Sequence, residues 1–142
     1  MEMTETGRWR FKGPEMEGPV ARWYARVRGS DSQLEGYRRQ ARQLTEGLAE
    51  GARVLEVAPG PGYLAIEMAR LGKFEVTGLD ISRTFVQIAG DNARQAGVKV
   101  DFRQGDVAAM PFDAGTFDLI VCQPRLRTSR CRTPRWPRCT VS

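Results

Sequence analysis

Three carboxylates and two glycines form the part of this chain that can do chemistry: Glu56, then Gly60 and Gly62, then Asp80, then Asp106. Glycine has no Cβ, so a turn through Gly60 and Gly62 can bend sharply and let a ligand lie against the main chain, beside the unpaired N–H groups of a following helix. Asp80 is placed to accept both hydroxyls of a ribose diol, because a carboxylate is a forked, acceptor-only group. Ile81 beside it can cover an adenine face or belong to the core. Asp106, directly after Gly105, can accept from an exocyclic adenine amine while the N–H of Val107 donates to a ring nitrogen. Each feature has a plainer reading as well. The glycines fit an ordinary strand-to-helix turn, Asp80 a helix-start acid next to Ser82, and Gly105-Asp106 a simple turn.

The elements that would position these residues alternate in type. Arg53 to Ala58 reads as a short buried strand rich in Val and Leu, as parallel strands are, and Tyr63 to Leu71 follows with helical periodicity. Phe74 to Asp80 predicts a second strand, Ile81 to Ala96 a helix, Val98 to Arg103 a third strand and Thr116 to Cys122 a fourth. The fold class is therefore α/β: a Rossmann-like, doubly wound parallel sheet of which the first four strands are present. Ligands of such sheets sit outside the carboxyl ends of the strands, where strand order reverses. Glu56 with the glycine turn, Asp80, Asp106 and Cys122-Gln123 all fall at such ends. Upstream, residues 20–49 carry two amphipathic helix patterns, with Trp23, Tyr24, Tyr37 and Leu44 among their apolar positions. These read as packing residues, with the alternative that Tyr24 or Tyr37 closes over a ligand. Residues 1–19, punctuated by glycine and proline without a period, read as a loosely ordered arm, and residues 50–123 as the ligand-binding half-domain.

The glycines alone do not choose the ligand. Gly60-Pro61-Gly62-Tyr63-Leu64-Ala65 also satisfies the G-x-G-x-x-A pattern of dinucleotide sites. Taken in order, however, Val54 to Gly62, Val76 to Ser82, Gly105 to Phe112 and Phe117 to Cys122 resemble the class I S-adenosylmethionine-dependent methyltransferases, especially the small-molecule branch with the ubiquinone/menaquinone-type enzymes. The resemblance implies S-adenosyl-L-methionine as cofactor and a small organic methyl acceptor. It further implies that Glu56 binds the methionine amino group, that Gly60 and Gly62 admit the methionine part and ribose, and that Asp80 holds the ribose. Ile81 would cover the adenine face, Asp106 and Val107 would meet its edge, and Cys122 and Gln123 would line the crevice near the methyl group. Ala58 departs from the pattern, standing where the family usually has its first glycine. No general base is identifiable, and methyl transfer from a sulfonium chiefly needs an aligned nucleophile.

The 142 residues suit one soluble domain, 41% hydrophobic and 27% charged. No stretch has the length of a membrane span, and the acidic start lacks a secretory h-region, so a cytoplasmic location is expected. Cys122, Cys131 and Cys139 match neither a zinc pattern nor a disulfide framework, and no metal is expected. The net charge of +5 is concentrated in residues 124–142, which hold six of the 22 basic residues and no acid; the remaining basic residues fall just short of the 17 acids. This stretch lacks an apolar period where the family resemblance leads one to expect a helix and a fifth strand. It reads as a disordered, non-native tail produced by a reading-frame slip, leaving a truncated domain with impaired catalysis. The alternatives are a non-catalytic cofactor-binding remnant or an arginine arm that grips nucleic-acid phosphates.

Overall fold

The computed structural model describes residues 2–3, 9–10, 17–106, 109, 111–113, 115–122 and 139–141. In chain order the elements are β1 (Glu2–Met3), β2 (Trp9–Arg10), α1 (Gly18–Arg28), α2 (Asp31–Thr45), β3 (Arg53–Val57), α3 (Tyr63–Arg70), β4 (Glu75–Asp80), α4 (Arg83–Ala96), β5 (Asp101–Gln104), β6 (Leu119–Cys122) and β7 (Cys139–Val141). The main sheet runs β5-β4-β3-β6-β7, every neighbouring pair parallel. Strand order thus reverses between β3 and β6, and this is where a crevice opens in such folds.

Period-two alternation sorts β3 between two cores. Val54 joins Leu64, Ala65, Met68 and Val76 under α2 and α3, whereas Leu55 and Val57 join Leu79, Phe117 and Ile120 on the opposite face. Full burial of each such side chain contributes roughly 1.5–3 kcal/mol, so these few residues hold the sheet against the helices. Glu56 shares the Val54 face and is buried with it. Chain direction explains the helices: β3-α3-β4-α4-β5 advances steadily one way across the sheet, and right-handed crossovers put α3 and α4 on one face, in mutual contact.

The expected helices and four strands are present, with shifted edges that have local causes. α1 starts earlier than Val20 because Pro19 is tolerated in a first helical turn. β5 starts at Asp101, because Gly97 adopts φ 69° and the N–H of Val98 closes onto the Ala93 carbonyl, spending residues 97 and 98 on ending α4. β6 starts at Leu119, since Thr116 is bonded into a turn with Asp113.

Two regions expected to carry no fold contain strands. β1 and β2 pair antiparallel, Met3 opposite Trp9. At the other end β7 adds a fifth main strand, Thr140 opposite Val121. Strand β6 would otherwise present a row of unpaired backbone groups, and the β-branched Thr140 and Val141 suit the pairing. Residues 124–138, most of the predicted tail, lie outside the described residues.

Candidate cofactor-binding site

The turn after β3 passes through three residues in the left-handed region: Ala58 (φ 56°), Gly60 (φ 57°) and Gly62 (φ 83°). Ala58 is pinned there by its N–H donating to the Leu79 carbonyl at 2.9 Å. A non-glycine residue costs roughly 1–2 kcal/mol in this conformation, so the missing family glycine at position 58 carries a real strain. The two glycines serve different ends. A Cβ on Gly60 would meet nothing within 4 Å, leaving main chain open to a ligand, whereas one on Gly62 would fall 2.7 Å from the Phe102 ring and 2.8 Å from the Ala89 Cβ. Gly62 is therefore required by packing between α3, α4 and β5. Only Gly60 keeps the open surface that the sequence reading gave to both.

Asp80 is buried and already engaged. Its Oδ2 accepts from the Gly60 N–H at 3.0 Å and its Oδ1 from the Ser82 N–H at 2.9 Å, so it ties the end of β4 to the glycine turn and to the start of α4. Burial pushes its carboxyl above the usual range, against the backbone bonds that hold it down. Ser82 caps α4, accepting from the Phe85 N–H at 3.1 Å. The helix-start reading of Asp80 is thus realised, and spare lone pairs remain for a diol. Ile81 follows, half-buried, its carbonyl accepting from Gln104 Nε2 at 3.3 Å.

Glu17 is a partner of this corner that sequence reasoning missed, having assigned it to the arm. Its Oε2 accepts from the Thr84 N–H at 3.1 Å and from the Thr84 hydroxyl, and the Gly18 N–H donates to Thr84 Oγ1 at 3.1 Å. These bonds hold its carboxyl low and dock α1 onto the first turn of α4. An acid ahead of a proline-containing helix offered no signal for a partner 67 residues away.

Glu56 presents the opposite case. It is 2% exposed, and its carboxyl is pushed up to about 8, first by burial and then by Asp80, while the N–H of Ala65 pulls it down. Its Oε2 has no hydrogen-bond partner. From α1 and α2 come Arg28, which the sequence did not mark for chemistry, and Tyr37, left open between packing and ligand contact. Tyr37 feels both Glu56, which raises its hydroxyl, and Arg28, which lowers it, under a larger upward push from burial. Arg28 carries a buried Nε without a partner and lies over the Tyr24 ring, 5.9 Å from its centroid. Tyr63, at the start of α3, donates to the Ala25 carbonyl at 2.8 Å and stacks near Tyr37, so α1 is fastened to the start of α3.

A buried carboxylate oxygen without a donor suits the ammonium of an amino acid ligand. Tyr37 packs against the core beneath α2 and beside the Tyr63 ring, as the packing reading expects.

At the remaining strand ends, the Gly105 N–H donates to the Asp80 carbonyl at 2.9 Å, and the main-chain carbonyl of exposed Asp106 accepts from the Ala109 N–H at 3.0 Å. Cys122 is half-buried and stands level with Val57 in the β3–β6 register. Val107 and Gln123 lie outside the described residues. No cluster of His, Cys, Asp and Glu able to hold a metal occurs among the described residues. A cavity of about 690 Å³ lies instead between α4 and β5, lined by Gln87, Asp91, Arg94, Lys99 and Phe102; no predicted site residue lines it.

Comparison with known proteins adds independent findings. The sequence model of a family described as methyltransferase domain matches residues 54–139, more than half of the chain. Ubiquinone biosynthesis O-methyltransferase of Xanthomonas axonopodis is 40% identical over 77 residues, which are 54% of this chain and 32% of that protein. The chain thus spans about a third of the length of the curated relatives it matches. Among solved structures, the [4+2]-cyclase SpnF is 32% identical with a TM-score of 0.56, over 61% of this chain and 33% of its own. A methyltransferase of Methanococcus maripaludis described as S-adenosyl-L-methionine-dependent superposes with a TM-score of 0.69 over 82% of this chain and 54% of its own; at 22% identity it speaks to the fold alone. With a parallel sheet of this order, a glycine turn after its first main strand and a family match over most of the core, the chain belongs to the methyltransferase-domain family, in its class I, S-adenosyl-L-methionine-dependent form.

Proposed function

We propose that this chain binds S-adenosyl-L-methionine at the carboxyl ends of β3, β4 and β5 and serves methyl transfer to a small organic acceptor in the cytoplasm. The observation that carries the reading is the unpartnered, buried Oε2 of Glu56, whose carboxyl Tyr37 feels from α2. An isolated buried carboxylate is costly, and a ligand ammonium offsets that cost. When bound, the cofactor supplies an electrophilic methyl group on a sulfonium.

The chain's own residues then divide the work of holding it. Glu56 receives the amino group, while Gly60, with Ala58 before it, lets the main chain lie against the ligand. Asp80 uses its spare lone pairs for the ribose hydroxyls, Ile81 covers the adenine, and Asp106 with Val107 meets its edge. Cys122 and Gln123 flank the reacting end. Catalysis then rests on aligning the acceptor, since no residue in this set is a general base.

Titration calorimetry of the intact chain tests the reading. Binding of S-adenosyl-L-methionine, with none of NAD or a duplex oligonucleotide, is the expected result; NAD binding alone overturns it. Transfer is expected to be weak relative to binding, because residues 124–142 carry six arginines, no acid and no apolar period. We read that stretch as out of frame. Sequencing the gene past codon 123 checks this: one small insertion or deletion should restore a homologous frame, and its absence defeats the idea.

A further inference from the structure

Helix α1 turns an apolar stripe outward. Val20, Trp23 and Val27 are 58%, 65% and 53% exposed, the large hydrophobic residues most open to water among those described. The other side of the helix is fully occupied: Ala21 and Ala25 are buried, Tyr24 packs edge-on against Phe85, and the Ala25 carbonyl takes the Tyr63 hydroxyl. The stripe is therefore no misplaced core. At 3.6 residues per turn Arg22 and Arg26, both exposed, run along the Trp23 side of it, and α1 contains no acid.

Charge and area identify what this face fits. A second copy would bring the same arginines to the rim of the same patch with no acid of α1 to answer them. Three side chains offer on the order of 300 Å² of apolar surface, against roughly 800 Å² per partner in a stable interface. Residues 124–142 add only like charge. Nucleic acid answers the arginines but gives Val20 and Val27 no apolar phase. An anionic bilayer answers both: its headgroups meet Arg22 and Arg26, and its acyl boundary receives Trp23 and the valines. No helix among the described residues is long and apolar enough to cross a membrane, so the contact is peripheral.

We propose that α1 is a membrane-surface docking element that lays Val20, Trp23 and Val27 into the boundary of an anionic lipid leaflet. Because α1 is fastened to the start of α3 through the Tyr63 hydroxyl on the Ala25 carbonyl, docking sets the strand ends near the lipid surface. The proposal stands on the exposed face of α1 and does not need the cofactor assignment.

The full chain with Trp9→Phe and Trp136→Phe keeps Trp23 as its single tryptophan and reports on this face alone. Mixed with vesicles of phosphatidylcholine and phosphatidylglycerol, Trp23 emission should shift to the blue and be quenched by acyl-brominated lipid. Neither effect should occur with phosphatidylcholine alone, and both should weaken as salt is raised. Arg22→Gln with Arg26→Gln should lower the apparent vesicle affinity at least tenfold, at about fivefold per arginine. Trp23→Ser should abolish flotation with the vesicles while leaving the far-ultraviolet circular dichroism spectrum unchanged. Three outcomes overturn the proposal. Flotation with Trp23 emission unmoved assigns the contact to the arginine-rich stretch. A blue shift that grows with protein concentration without lipid assigns the face to a second copy, and a shift with a duplex oligonucleotide but not with vesicles assigns it to nucleic acid.

Discussion

The two buried carboxylates at the strand ends, Glu56 and Asp80, sit one strand apart on the same sheet and are treated in opposite ways. Asp80 has both oxygens bonded to main-chain N–H groups, of Gly60 and Ser82, and holds the turn in shape without any ligand. Glu56 has one oxygen without a partner and carries its burial as a cost. In the proposed site the adenosine end is thus preorganised, and the amino acid end is left unsatisfied. The contrast separates residues that build a site from residues that wait for its occupant, a distinction that residue type alone does not carry.

The sharpest way to break the contrast is Glu56→Gln. It keeps the shape but removes the charge, so affinity for S-adenosyl-L-methionine should fall roughly 100-fold, the worth of about 3 kcal/mol in a charge-assisted bond. The stability of the ligand-free protein should move the other way. Glu56 titrates near 8 when folded and near the ordinary carboxylate value when unfolded, so the folded state holds the extra proton between those limits. Stability is then greatest below the unfolded value and declines as pH rises towards 8, by on the order of a few kcal/mol in all. Thermal melts from pH 5 to 9 should show that decline in the parent and lose most of it in Glu56→Gln. Cofactor affinity of the parent should rise over the same interval, as Glu56 becomes charged; a flat profile would disprove the pairing with an ammonium.

Asp80→Ala should act on both properties in the same direction. Two N–H groups lose their acceptor, which costs roughly 1–3 kcal/mol each if water does not replace it, and the ribose loses its partner. Calorimetry should find no binding even where circular dichroism still shows a folded chain. Next in size, Gly62→Ala should destabilise by about 2–3 kcal/mol through its contact with Phe102 and Ala89. Gly60→Ala should cost only about 1–2 kcal/mol of left-handed strain, with a larger loss in affinity than in stability. Equal effects of the two alanines on binding would erase the difference between them. The smallest change expected is a gain: Ala58→Gly relieves strain at φ 56° but loosens the unfolded chain, for a net stabilisation of up to about 1 kcal/mol in denaturant unfolding.

Much of this molecule follows from local sequence. The apolar runs ending in Glu56 and Asp80 specify buried parallel strands because no other element places so many branched residues out of water at that length, and the glycine turn specifies the bend between β3 and α3 because only residues tolerant of positive φ make it. Once strands and helices alternate, handedness fixes the face on which α3 and α4 lie, so the convergence of Glu56, Asp80 and Asp106 on one end of the sheet was legible before any coordinates. Partners distant in sequence were not. Glu17 meets Thr84 only once α1 lies on α4, Tyr37 reaches the surroundings of Glu56 from α2, and Gly62 meets Phe102 only when β5 lies beside β4. The strand at Cys139–Val141 likewise exists because the edge of β6 offers it a ladder. Hydrogen-bond satisfaction is a property of the assembled neighbourhood: the sequence shows that two acids stand at strand ends, and the tertiary structure alone decides that one is bonded twice and the other is left with an empty oxygen.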